Sequence, residues 1–150
     1  MGRSRFGEVD GESVIFRRHG MLRPILEPPR PATPVDIVYA YAGCDGRLVD
    51  AARNEAIGLV VAALGRGNTN PPFFAAIGRW LHAGKPVVVS SRVHHGRAGA
   101  VYAFEGGGRM LREAGAIFAG ARRPSHARID LMLALGVGLH GSALAAVFEE

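Results

Sequence analysis

The spacing of apolar residues along this chain changes twice, and each change predicts a different kind of structure. Over 6–18 the sequence reads Phe-Gly-Glu-Val-Asp-Gly-Glu-Ser-Val-Ile-Phe-Arg-Arg. Asp10-Gly11 is a strong hairpin-turn signal. Val9 precedes the turn, and Val14 and Phe16 share a face after it. A small β-hairpin is predicted. Residues 19–34 then carry Pro24, Pro28, Pro29, Pro31 and Pro34. Proline fixes φ and removes a backbone donor, so this stretch is an extended linker, lying on a surface or bridging two bodies.

From residue 35 the pattern becomes an alternation of strand and helix. Residues 35–41 are β-branched and aromatic, a strand signal. Residues 46–56 place Leu48, Val49, Ala52 and Ala56 on one helical stripe. An uninterrupted apolar run at 57–64 reads as a buried strand. A helix over 71–83 carries Phe74, Ile77, Trp80 and Leu81 and closes at Gly84. Strands follow at 86–90 and 116–119, with a short helix at 111–114. A last helix spans 125–135, with Ala127, Ile129, Leu131, Met132 and Leu135 facing the core and Ser125 as its N-cap. Helices between strands imply crossovers of one hand and a parallel sheet. The predicted fold is α/β, a three-layer unit with a mainly parallel four-stranded sheet, preceded by the hairpin and the Pro-rich linker. Residues 1–34 form the connector and 35–150 the α/β domain.

The loops after the strands, 42–45, 65–70, 91–108 and 120–124, share one rim. In open α/β sheets ligands bind at the carboxyl ends of strands. Loop 91–108 is the longest and holds Gly106-Gly107-Gly108, so mobility is expected there. Loop 65–70 reads Gly-Arg-Gly-Asn-Thr-Asn and runs into Pro71-Pro72. Asn70 is a good N-cap and Pro71 suits the first helical position. Asn68 and Asn70 therefore have two open readings, as turn and cap residues or as ligand contacts.

Composition narrows the functional classes. Net charge is +5, but the basic residues are scattered and Lys85 is the one lysine among them. No basic helix face or interleaved aromatic stripe supports a nucleic-acid interface. Cys44, the single cysteine, excludes an internal disulfide and a cysteine-rich metal site. No apolar segment follows Arg3 and Arg5, and no run approaches the roughly 20 residues of a bilayer span. A cytoplasmic protein without a membrane partner is expected. There is no G-x-S-x-G elbow and no G-x-x-x-x-G-K-[ST] phosphate loop. His94-His95 lacks metal spacing, and no cofactor is expected. Ser90-Ser91-Arg92 and, in the long loop, Tyr102 and Glu105 remain as rim candidates.

Four segments in one order carry a resemblance. They are Val35-Asp36-Ile37-Val38-Tyr39-Ala40-Tyr41-Ala42-Gly43, the Gly65-x-Gly67-Asn68-x-Asn70 loop, Pro86-Val87-Val88-Val89-Ser90-Ser91-Arg92, and Leu111-x-x-Ala114-Gly115-Ala116-Ile117-Phe118-Ala119-Gly120. Together they resemble the C-terminal, smaller domain of the bacterial-type L-asparaginases, and the hairpin and Pro-rich stretch resemble that family's inter-domain connector.

The resemblance implies an amidohydrolase that converts L-asparagine to L-aspartate and ammonia through an acyl-enzyme. The nucleophilic threonine, and a second threonine beside an aspartate with a lysine, lie in the family's N-terminal domain. This chain has only Thr33 and Thr69, no Thr-Asp pair, and in Lys85 a lysine that matches no catalytic position. It therefore resembles the smaller domain alone and supplies no catalytic residue. In the family that domain packs in a homo-oligomer and faces the neighbouring subunit's active site. It lends an asparagine from the Gly-x-Gly-Asn-x-Asn loop and, in several members, a glutamate beyond the Ser-Ser-Arg strand. Asn70, with Asn68 beside it, fits the first role. The glutamate's position counts to about Tyr102 or Ala103, and the acid in that loop is Glu105. The implied partners are an asparaginase N-terminal domain or neighbouring subunit and the substrate asparagine. A free-standing α/β module that binds a small metabolite at the same rim is the alternative. With partners missing, the hairpin, the linker and the apolar tail 137–148 are expected to expose apolar surface.

Overall fold

The computed structural model describes residues 7–10, 13–16 and 25–149. Strands β1 (Gly7–Asp10) and β2 (Ser13–Phe16) pair antiparallel, with Val9 opposite Val14. This is the hairpin that Asp10-Gly11 predicts. The turn residues 11 and 12, and the linker as far as Pro24, lie outside the described residues. From residue 25 the linker is extended. Leu26 packs into the core, and the Ala32 N–H donates to the Met132 carbonyl at 2.9 Å, so this part lies along a helix surface.

The main sheet contains β3 (Val35–Tyr39), β4 (Gly58–Ala63), β5 (Val87–Ser91) and β6 (Ile117–Phe118). Their spatial order is the chain order, and every pair is parallel. Helices α1 (Arg47–Arg53), α2 (Pro71–His82) and α3 (Gly108–Glu113) join them. Crossovers of one hand in a sequential sheet place their helices on the same face. The pleat then sorts the strand residues. Leu59, Val61, Val87 and Val89 meet Val49, Phe73, Ile77, Trp80 and Leu111 on that face. Val35, Val60 and Val88 meet the opposite face. There the chain, having turned after β6, lays down α4 (Pro124–Gly136) and α5 (Gly141–Ala146), with Ala127, Leu131, Ala134, Leu144 and Phe148. The result is the expected α/β three-layer unit. β4 and β5 are buried along their whole length, which is why they read as unbroken apolar runs. Among the described residues no helix is long and apolar enough to cross a membrane.

Several expected details give way to packing. Leu48 is 52% exposed, because α2 crosses α1 at Val49, whose carbonyl accepts the Trp80 indole N–H at 2.7 Å. α1 stops at Arg53 rather than at 56, and Lys85 Nζ donates to the Arg53 and Ala56 carbonyls at its end. Ile129 is 47% exposed, since the buried face of α4 runs through Pro124, Ala127, Leu131 and Ala134. Pro124 occupies the first turn of α4, so Arg123 and not Ser125 is the N-cap. Val137 at the start of the apolar tail is 39% exposed, but the tail's far end is core, with Leu144 and Phe148 each 2% exposed. The buried Arg122 guanidinium holds it there by donating to the Val147 carbonyl at 2.9 Å and the Phe148 carbonyl at 3.1 Å, while its Nε pairs with Asp130 at 3.0 Å. Carbonyls at a helix end need donors of this kind.

α1 and α2 are also tied at the surface by a two-pronged pair, Arg79 Nε to Asp50 Oδ1 at 2.8 Å and Arg79 Nη2 to Asp50 Oδ2 at 2.5 Å. The guanidinium holds the Asp50 carboxyl below the usual carboxylate range. A lowered folded-state pKa stabilises the fold above the unfolded value of about 3.9, and that contribution disappears as pH falls through the folded value. Asp50→Asn should therefore lower the urea midpoint slightly at pH 6, and the gap from the parent should narrow as the pH falls below the usual carboxylate range. An undiminished gap at the acid end would mean that the pair contributes through shape rather than charge. Solvent screening keeps the effect small.

Candidate functional site

The strict strand order has a consequence for the rim. With no reversal of strand order there is no crevice between diverging loops, the usual ligand position in open α/β sheets. The loops fold over one another instead, beginning with the turn after β4. Leu64 and Asn68 exchange backbone hydrogen bonds, each 2.9 Å. Gly67 sits at φ +108°, and a Cβ there would stand 2.9 Å from the Phe118 ring, so only glycine fits.

Asn70 follows in extended geometry, and its Oδ1 accepts the Phe73 N–H at 3.0 Å. It is the N-cap of α2, with Pro71 in the first helical position, as its sequence context predicts. The other end of its amide is also engaged. Nδ2 donates to the Cys44 carbonyl at 2.6 Å and faces the Cys44 sulfur at 3.5 Å. Asn70 thus ties the loop after β3 to the start of α2. Asn68 performs a parallel service, its Oδ1 accepting the Gly108 N–H at 3.2 Å at the start of α3.

The long loop is braced, contrary to the mobility its glycines suggested. The Ala98 N–H donates to the Gly120 carbonyl and the Gly99 N–H to the Arg66 carbonyl, both at 2.8 Å. The Thr69 N–H donates to the Gly106 carbonyl at 2.8 Å, and the buried Thr69 hydroxyl donates to the same oxygen at 3.2 Å. Gly106 lies at φ +90°, and a Cβ there would come within 2.7 Å of the Thr69 carbonyl and 3.1 Å of the Asn70 carbonyl. Here glycine serves close approach rather than freedom.

Gly106 brings the sequence candidates together. It rests on the backbone of Thr69 and Asn70, so its neighbour Glu105 stands beside the asparagine loop, exposed to solvent. Asn68, Asn70 and Glu105, from two loops, share one stretch of rim. The remaining candidates are mostly stitching. Ser90 Oγ donates to the Arg122 carbonyl and Ser91 Oγ to the Gly65 carbonyl, both at 2.6 Å. Arg92 Nη1 donates to the Ala40 carbonyl at 2.8 Å. Around this braced platform Tyr41, Tyr102 and Phe104 are 41%, 48% and 52% exposed. Two loops thus offer aromatic surface beside polar groups that are already oriented. Among the described residues no cluster of three or more His, Cys, Asp or Glu gathers at a metal-binding distance.

Comparison with known proteins resolves the kinship of this platform. The model of the glutaminase/asparaginase C-terminal domain matches residues 34–148. The chain belongs to this family. It is 38% identical to a probable L-asparaginase of Deinococcus radiodurans over 96% of its own length and 45% of that protein's. It is 28% identical to an L-asparaginase of Bacillus licheniformis, covering 86% of this chain and 40% of the relative. The crystal structure of a probable cytoplasmic L-asparaginase from Campylobacter jejuni superposes with a TM-score of 0.68 at 25% identity, over 95% of this chain and 47% of the other. The chain therefore spans less than half the length of these relatives. The asparaginase C-terminal domain seen here includes the whole four-stranded sheet, both helical layers and the braced rim.

One participant in this asparaginase-type rim carried no sequence signal. Cys44 contributes its carbonyl oxygen, which any residue could supply. Arg92 is a rim candidate from sequence, but its partner, the Ala40 carbonyl just past β3, is not legible there, because residues 52 positions apart announce no contact in sequence.

Proposed function

We propose that this chain supplies the substrate-side face of an L-asparagine amidohydrolase site whose nucleophile comes from an asparaginase N-terminal domain or a neighbouring subunit. Residues 1–34 act as connector and 35–150 as the domain proper. What supports this reading is that Asn68 and Asn70 brace one stretch of rim, on which Gly106, the neighbour of Glu105, packs, within a domain of asparaginase kinship. An amino-acid substrate brings an ammonium and a carboxylate, and an exposed carboxylate beside an amide edge offers a complementary partner for each. The half-exposed Tyr41, Tyr102 and Phe104 suit burial against the partner in a homo-oligomer. A cytoplasmic location agrees with the name of the Campylobacter neighbour.

Glu105 gives the cleanest test, because it is exposed and its replacement should leave the fold alone. The chain is co-expressed with the N-terminal domain of the Deinococcus relative, and asparagine hydrolysis is measured. Glu105→Gln should raise KM for asparagine about tenfold, since a charge-assisted contact contributes on the order of 1.5–3 kcal/mol, with the melting temperature unchanged. An unaltered KM in an active complex would remove Glu105 from the site.

A further inference from the structure

β3 stands first in the sheet and has a neighbour, β4, on one side only. Alternate residues of a strand turn their backbone groups to opposite sides. The Ala40 N–H donates to the Ala62 carbonyl of β4, so Asp36 and Val38, in step with Ala40, also face β4. Val35, Ile37 and Tyr39 turn the other way. The Val35 carbonyl is taken, accepting Arg128 Nε at 2.6 Å. No described residue pairs with the backbone N–H and carbonyl groups of Ile37 and Tyr39. Native sheets blunt such an edge with charge, proline, a bulge or a covering segment.

The charge here is of one sign. The edge opens on a cleft of about 620 Å³, lined by Asp36, Ile37, Tyr39, Leu48, Ala51 and Glu55 among others. Tyr39 and Leu48 are exposed apolar surface. The charged side chains of the cleft are Asp36 and Glu55, and neither carboxylate has an ion-pair or hydrogen-bond partner among the described residues. In a chain of net charge +5, this is a local surplus of acid beside unpaired backbone.

We infer that this edge docks an extended segment of a partner protein in which arginine or lysine alternates with apolar residues. The segment joins the sheet as a fifth strand. Main-chain hydrogen bonds to Ile37 and Tyr39 supply affinity, and alternate side chains supply selectivity. The pleat dictates the alternation. Val38 lies in the core layer beneath α1 and Ile37 in the opposite layer, so Asp36 shares the α1 side with Leu48 and Glu55. Segment residues on that side meet two carboxylates, and an arginine stem can cover Leu48 while its head reaches them. Residues on the other side lie beside Ile37 and Tyr39 and suit apolar side chains. A second copy of the same edge is a poor occupant, because it would set two Asp36 and two Glu55 carboxylates on one side of the joined sheet. This inference does not depend on the proposed asparagine site.

The test titrates the purified chain with fluorescein-labelled peptides of about eight residues, a strand's length, at about 50 mM salt, where surface charge is only partly screened. One peptide alternates valine with arginine. A second alternates valine with glutamate. A third is the valine–arginine peptide N-methylated at every residue, which removes its backbone donors. Binding is followed by anisotropy and amide NMR. The valine–arginine peptide should saturate at one per chain, shift the Ile37 and Tyr39 amides and slow their exchange. The other two should bind at least about tenfold more weakly, because each lacks the charge or the main-chain bonds that the edge requires. The glutamate peptide should do so despite the chain's positive net charge. Asp36→Asn combined with Glu55→Gln should weaken the valine–arginine peptide about fivefold, the scale of two exposed ion pairs. Any of five results would overturn the inference: no saturable binding, the glutamate peptide binding as tightly, the N-methylated peptide matching its parent, affinity untouched by the double substitution, or dimerisation of the chain alone that moves the Ile37 and Tyr39 amides and so makes a second copy the occupant. Should the double variant fail to fold, Glu55→Gln alone, at an exposed position, decides by the same readout.

Discussion

The 150-residue chain on its own is expected to release no ammonia from L-asparagine above background. Hydrolysis of the family type needs a nucleophilic threonine with an activating partner, and this chain offers only Thr33 and Thr69. Thr69 is 4% exposed, and its hydroxyl proton is directed to the Gly106 carbonyl, which cannot accept it as a base would. Thr33 lies exposed in the extended linker, before Pro34. Loss of a nucleophile in a covalent mechanism costs on the order of a millionfold in kcat, so the expected signal is below detection. The chain is purified and assayed for ammonia by a coupled reaction, beside Thr33→Ala and Thr69→Ala. Turnover that either substitution abolishes would place a nucleophile in this chain and defeat the proposed division of labour. Activity that appears only after an asparaginase N-terminal domain is added would support it.

The architecture was legible because the sheet is buried on both faces. Val60, Val61, Val88 and Val89 must be apolar whichever way they point, so β4 and β5 stand out as continuous runs. Asn70 as a cap was legible too, since Asn before Pro-Pro at a strand's end is a local signal. What failed involved partners distant in the chain. Leu48 and Ile129 have the right hydropathy for a core, but the helix crossing turns Val49 inward in place of Leu48, and the buried face of α4 runs through Ala127 and Leu131 and leaves Ile129 outside. The tail 137–148 looked unpartnered because what it meets lies far back in the chain: Leu144 and Phe148 join the cluster around Val35, Val60 and Val88, and Arg122 bonds backbone carbonyls that leave no trace in side-chain pattern. The glycines of the long loop suggested motion. They are there because Gly106 must approach the Thr69 and Asn70 backbone, and glycine is common to flexible and tightly apposed segments alike. The rim candidates were found by type, and their braces by structure.

Asn70→Asp separates the two duties of this residue, though not through the cap alone. From the sequence, aspartate should be harmless if capping is the only duty, because it caps about as well as asparagine and adds favourable charge at the helix N-terminus. The structure changes that expectation. Nδ2 donates to the Cys44 carbonyl at 2.6 Å, and Cys44 is buried. An aspartate places an acceptor against an acceptor there and leaves that carbonyl without its donor, a loss of about 1–3 kcal/mol. Asn70→Asp should therefore lower the melting temperature even if Asn70 never meets a substrate. Asn70→Ser keeps a capping oxygen, loses the same donor and brings no charge, so it should destabilise less. Lowering the pH protonates the new carboxyl and restores a donor, so the stability gap between Asn70→Asp and the parent should narrow towards acid. Stability thus reports the structural duty, and activity must be read separately. In the complex with an added N-terminal domain, kcat/KM is measured well below every melting midpoint, where all the variants are folded. A purely structural Asn70 would leave kcat/KM near the parent's in both variants. If its remaining N–H contacts the substrate, both should lose activity. Asn70→Asp should lose at least about tenfold, equivalent to about 1.4 kcal/mol, because the new charge also repels the substrate carboxylate. Equal rates for the parent and both variants would confine Asn70 to bracing the rim.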